Sequence, residues 1–88
     1  ALTKRRNAVV AVELHRLMGK TVDEACELVG PEVKRRGQTV KRWRRDTPSD
    51  CAEVVEHYKD WLEGEHNLDK KNKFLSEKLK QHIDLAKG

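Results

Sequence analysis

The amino-acid sequence predicts an all-α fold: three short helices followed by a long or broken C-terminal amphipathic helix. Three observations predict it. The good helix formers Leu, Glu, Lys, Ala and Arg are plentiful among the 88 residues, and only two prolines and five glycines interrupt them. Apolar residues recur at spacings of three and four, with no strand-like alternation. Helix start and stop signals divide the chain into segments of ordinary helical length. The length is that of one small domain with a limited core. Charged residues make up 39% of the chain and carry both signs, so a strongly solvated folded protein is expected rather than disorder.

The first helix is expected from about Thr3 to Met18, with Val10, Leu14, Leu17 and Met18 on one face, Ala11 at its edge and Gly19 as the stop. The second opens at Thr21-Val22-Asp23-Glu24, a capping box in which Thr21 caps the helix and Glu24 reaches back. Val22, Ala25, Cys26, Leu28 and Val29 form its inward stripe, and Gly30-Pro31 is its expected end. A basic connection, PEVKRRG, leads to a third helix from about Gln38 to Arg45. Thr47 as cap, Pro48 at the first helical position and Asp50 in the first turn mark the next start. From there to about Ala86 there is one long helix, or two shorter ones broken near Gly64 to Asn67.

Charge is unevenly spread. Residues 1–46 hold twelve Lys/Arg against six Asp/Glu, whereas residues 47–88 hold seven against nine. The net charge of +4 therefore comes from the first half, which points to an anionic partner there. In the third helix Val40 and Trp43 share one face, and Gln38, Lys41, Arg42 and Arg45 share the other at i, i+3, i+4 and i+7. With the apolar side docked, the opposite side presents long donors suited to base edges in a major groove. Two packed helices, a connection and a helix of this kind make a helix-turn-helix arrangement. Arg44 on its flank, Lys34, Arg35 and Arg36 before it, and Lys4, Arg5, Arg6 and Lys20 are candidates for phosphate contacts.

TVDEACELVG followed by QTVKRWRR resembles the helix-turn-helix domains of transposases, phage small terminase subunits and related homeodomain-like regulators. Those domains often carry an alanine inside the second helix and a Thr-Val-x-Arg-Trp run in the third. Ala25 and Thr39-Val40-Lys41-Arg42-Trp43 match. The resemblance covers roughly residues 5–46. It implies that Ala25 lets the second and third helices approach, that Val40 and Trp43 are core, and that Thr39, Lys41 and Arg42 lie near DNA. One departure stands out: the connection spans about Gly30 to Gly37, longer than the three or four residues usual in such domains. Either the loop is enlarged, or the second helix runs on past Pro31.

Residues 1–46 are thus expected to form a DNA-binding unit and residues 47–88 a packing and oligomerisation segment. The spacing Val54, Tyr58, Trp61, Glu65, Leu68, Asn72, Leu75, Leu79, His82, Ala86 alternates four and three, with Asn72 where a polar residue can set coiled-coil register. Val55, Leu62 and Ile83 widen this stripe towards a plain amphipathic helix. Residues 51–62 are expected to pack on the first half, with Tyr58 and Trp61 as core. Residues 68–86, through Leu68, Asn72, Leu75, Leu79 and Ile83, are expected to meet another copy or a helical protein partner. The alternative is a fifth helix folded back on its own chain.

Little points to catalysis. His15, His57, His66 and His82 form no i, i+4 pair, and Cys51, His57 and His66 match no common zinc spacing, so no metal or cofactor is expected. There is no glycine-rich phosphate loop. Cys26 and Cys51 form no disulfide framework and read as buried thiols, which suits an intracellular location. No apolar run is long enough to span a bilayer, and no signal-peptide pattern is present. The expected activity is double-stranded DNA binding as a regulator or accessory targeting subunit. The alternatives are a helical protein adaptor and RNA binding through the basic connection, the latter disfavoured by the few aromatic residues.

Overall fold

The computed structural model describes residues 3–46 and 49–88, and among these every regular element is a helix. They are α1 (Lys4–Leu17), α2 (Val22–Glu32), α3 (Gly37–Arg45), α4 (Ser49–Gly64) and α5 (Leu68–Lys87). The expected cap at Thr47, Pro48 and the Asp50 side chain lie outside the described residues. No helix is long and apolar enough to cross a membrane among the described residues.

The central helix is α1. Thr3 caps it, its Oγ1 accepting from the Arg6 amide at 3.2 Å. Asn7, Ala8, Val9, Val10, Ala11, Val12 and Leu14 are all buried, whereas Met18 is exposed. The single inward face expected from Val10, Leu14, Leu17 and Met18 is therefore too narrow. Five consecutive apolar residues, 8–12, wrap the helix, and a helix apolar all round belongs in the interior. α1 packs against each of the other four, most extensively against α5.

Both of the first two helices end in the same way. At the end of α1 the Gly19 amide donates to the Arg16 carbonyl and the Lys20 amide to that of His15, with Gly19 left-handed at φ 98°. This pair of bonds is a Schellman motif. α2 starts with the expected capping box, Thr21 Oγ1 accepting from the Glu24 amide and Glu24 Oε1 from the Thr21 amide. It does not stop at Gly30-Pro31 but continues to Glu32. A proline disfavours helical geometry in the preceding residue by clashing with its backbone N–H and its Cβ, and Gly30 has no Cβ. The motif then repeats: Arg35 donates to the Gly30 carbonyl at 2.9 Å, Lys34 to that of Pro31 at 3.2 Å, and Lys34 takes the left-handed position at φ 58°. The turn between α2 and α3 is thus Val33 to Arg36, four residues, which removes the apparent loop enlargement. This return brings the chain close over α2. A Cβ on Gly30 would stand 2.8 Å from the Arg35 carbonyl oxygen and 3.0 Å from the Gly37 nitrogen.

Of the two readings of the second half, the broken one is found. α4 ends at Gly64, and Asn67 caps α5, its Oδ1 accepting from the Lys70 amide at 3.0 Å. α5 then returns to α1. One hydrophobic cluster joins Ala8, Ala11 and Val12 of α1 with Ala25, Cys26 and Val29, Val40, and Ile83 and Ala86. The other joins Val10 and Leu14 with Cys51, Val55, Tyr58 and Leu75. Each cluster draws residues from both sides of the division expected at residue 46.

The stripe assigned to a partner chain is divided by this packing. Leu75 and Ile83 are buried within the same chain, and half-buried Leu79 packs against both clusters. Leu68 and Asn72 stay exposed, Leu68 at 68%. An antiparallel neighbour in the same chain covers the later part of the stripe, so Leu75, Leu79 and Ile83 are used internally and Leu68 is not. Trp61 also departs from expectation. It is 43% exposed and stacks flat on Phe74, with ring centroids 4.0 Å apart, while Tyr58 takes the buried place.

His82, without an obvious role in a zipper, has one here. It is 4% exposed, and so is Asn7 at 3%. His82 Nε2 lies 2.8 Å from the Tyr58 hydroxyl, and Nδ1 lies 2.7 Å from Asn7 Oδ1. Asn7 Nδ2 donates onward to the Thr3 carbonyl at 3.0 Å. Because Oδ1 only accepts, Nδ1 carries the proton, and Nε2 accepts from Tyr58. The chain of bonds ties α4 and α5 to the start of α1, and it is complete with a neutral imidazole. Burial, with Lys78 nearby, holds the His82 pKa below its ordinary value.

Candidate nucleic-acid interface

α3 is held by a small set of contacts. Val40 is fully buried among α1, α2 and α5 residues, and half-buried Trp43 packs on the same cluster. No side chain caps its start at Arg36. Instead the Glu27 carboxylate occupies the space a Cβ on Gly37 would need, which sets a negative charge by the helix N-terminus. At the other end Arg44 Nε lies 2.5 Å from Glu13 Oε1 of α1. Arg44, a candidate for a phosphate contact, is half-buried and joins α3 to the central helix through this pair.

The remaining long side chains point outward. Gln38, Lys41, Arg42 and Arg45 are exposed, and Thr39 is half-buried. Val22, Gln38, Lys41, Arg42, Arg44 and Arg45 line a concave surface between the start of α2 and α3. A second concavity is lined by Lys4, Arg5, Arg35, Thr39, Arg42 and Trp43 together with the acidic Asp46. Arg42 belongs to both. The Arg5 guanidinium sits 5.4 Å from the centre of the Trp43 ring, so a cation from α1 is carried onto the α3 surface by a cation–π contact.

The two concavities differ in how their cations are opposed. Lys41 Nζ lies 2.7 Å from Asp23 Oδ1 of α2, a hydrogen bond that raises the lysine pKa. Arg45 faces Asp46 more loosely, at 3.9 Å. Arg35 folds its guanidinium onto the Lys34 carbonyl, 3.2 Å away. Lys20, Lys34 and Arg36 are exposed but do not line either concavity. Arg6 lies deeper, half-buried, on a neighbouring surface with Arg5, Val9 and Trp43.

Elsewhere the chemistry is quiet. Cys26 and Cys51 are buried and unlinked, and burial pushes the Cys26 thiol up, away from the thiolate form. Among the described residues no three His, Cys, Asp or Glu side chains are grouped as a metal site. Compared with known proteins, the chain matches no family model, no curated protein and no solved structure.

The sequence pattern pointed to the residues on the α3 surface but not to their tethers. Glu13, Asp23 and Glu27 carry no local signal, since each is an acidic residue on a solvated-looking helix face. Only the packing of α1 and α2 against α3 brings them to it.

Proposed function

We propose that this chain binds double-stranded DNA through α3, as a helix-turn-helix module in which α2 and α3 are the paired helices. One observation carries the reading. α3 buries Val40 and half-buries Trp43 on one side while exposing Gln38, Lys41, Arg42 and Arg45 on the other. Arg and Lys suit guanine acceptors and Gln suits adenine, so this face has the donors a major groove requires. Lys4, Arg5 and Arg35 on the adjacent concavity would hold phosphates and fix the register. The role fits a regulator or an accessory subunit that delivers a DNA-acting enzyme, with no catalytic group of its own.

Selection from a random duplex library, followed by fluorescence anisotropy, tests this. Lys41→Ala with Arg42→Ala is expected to abolish preference for the selected sequence. Arg35→Ala with Lys4→Ala is expected to weaken binding to every sequence alike and to lower its salt dependence. Unchanged preference in the first variant would show that α3 is not the reading element.

A second reading, a helical adaptor that binds protein, is favoured by exposed Trp61, which stacks on half-buried Phe74, and by exposed Leu68. Its signature is a wild-type chain that shows no duplex preference but loses a protein partner on Trp61→Ala.

A further inference from the structure

Among the described residues Asp23 is an α2 carboxylate paired with the exposed α3 face, and helix capping does not require it. The capping box uses Thr21 and Glu24. The Asp23 side chain is 76% exposed and reaches across to Lys41, itself 56% exposed, at 2.7 Å. An exposed pair of this kind contributes about 0–1 kcal/mol to stability, comparable to what Asp23 contributes as an acid in the first turn of α2. The pairing of Arg44 with Glu13 is different, because both partners are largely covered and the contact fixes α3 to α1.

We propose that Asp23 is a specificity determinant: it restrains Lys41 and so weakens indiscriminate binding to the phosphate backbone. This rests on the reading of α3 as a DNA-contacting helix. Val22 lines the same concavity as Gln38, Lys41 and Arg42, so a duplex lying on that face also lies over the first turn of α2. There the Asp23 carboxylate repels phosphates. It also occupies the ammonium group that would otherwise release a counterion from the backbone. At a matching sequence the cost is recovered, because Lys41 can turn to a guanine edge and a carboxylate can accept from a cytosine amino group. At a random sequence it is not. Discrimination is a difference between two affinities, and a repulsive group widens it without adding a contact.

The test compares wild type with Asp23→Asn on the selected duplex and on random duplex, across a salt series, with circular dichroism confirming the fold. One additional phosphate contact steepens the slope of log affinity against log salt by about 0.9, which is roughly eightfold at 0.1 M salt. Asp23→Asn is expected to tighten random-duplex binding by about that factor, to tighten the selected duplex less, and so to lower the specificity ratio. Adding Lys41→Ala should remove the gain. Asp69→Asn, which removes one negative charge from α5, should not reproduce it. If the wild type binds duplex and Asp23→Asn leaves random affinity and salt slope unchanged, Asp23 has no such role while the α3 reading stands. The same holds if Asp69→Asn gives an equal gain. If the wild type binds no duplex at any salt, the α3 reading falls and this inference with it.

Discussion

α3 and α5 are both amphipathic and both cationic, yet they use their charge in opposite ways. α5 spreads Lys70, Lys71, Lys73, Lys78, Lys80 and Lys87 among Asp69, Glu77 and Asp84 over twenty residues. α3 puts Lys41, Arg42, Arg44 and Arg45 into nine residues with no acid among them. The cations of α5 are all lysines, strongly hydrated point charges, whereas three of the four in α3 are arginines with planar donor forks. Burial runs the other way. α5 buries Leu75, His82, Ile83 and Ala86, while α3 buries only Gly37 and Val40. The charge on α5 solvates a structural helix. The charge on α3 is concentrated on a helix too short to be stable alone, which the other helices hold in place.

The comparison breaks most visibly in the core. Ile83→Ala removes a buried side chain from the cluster shared by α1, α2, α3 and α5. The expected loss is about 2–4 kcal/mol in urea unfolding. Under folding conditions duplex binding should be retained. If the variant instead unfolds like wild type and shows a lower mass by light scattering, Ile83 faces a second chain.

Much of this division was legible beforehand, and the part that was not has a physical pattern. Local signals were reliable where the chemistry is local. Thr21 and Glu24 form the expected capping box, Gly19 takes the left-handed position, and Val40 and Trp43 turn inward. At the end of α2 Gly30-Pro31 reads as a stop with a helix past Pro31 as the alternative; the alternative is found, and the glycine removes one clash with the proline ring. The destination of α5 is left open by the sequence for a different reason. A stripe of Leu75, Leu79 and Ile83 carries no information about whether its cover comes from the same chain or another. Within this chain the burial of Leu75 and Ile83 against α1 and the Tyr58–His82–Asn7 bonds supply that cover, and the bonds link residues 24 and 75 positions apart.

That hydrogen-bonded chain gives the second way to sharpen the comparison. Tyr58→Phe removes the donor to His82 Nε2 and leaves a buried acceptor unpaired, an expected cost of about 1–3 kcal/mol. The same site makes stability depend on pH. His82 has a folded pKa below its unfolded value, so the unfolded chain binds the proton more readily. Stability is therefore full above the ordinary histidine pKa of about 6.5 and declines as pH falls from there towards the depressed folded pKa. His15 is shifted in the same direction, by partial burial and then Lys20, and adds to the slope. Urea unfolding at a series of pH values should show this decline, and His82→Gln should reduce it. A slope unaffected by that substitution would place the titration elsewhere, with His15 the next candidate.

The smallest effect is expected where the functional reading is strongest. Arg42 and Arg45 are exposed, and among the described residues the one side-chain ion pair either makes is the loose 3.9 Å approach of Arg45 to Asp46. Arg42→Ala and Arg45→Ala should each leave unfolding within about 0.5 kcal/mol of wild type, as exposed substitutions do. Alanine is also the better helix former at both sites. On a cognate duplex, loss of a bidentate arginine should cost about 1–3 kcal/mol at one base position. A residue whose removal is silent in folding but costly in binding is one the fold supports without needing. A large unfolding effect at Arg42 would instead mean that the cationic face of α3 is structural, and the contrast with α5 would collapse.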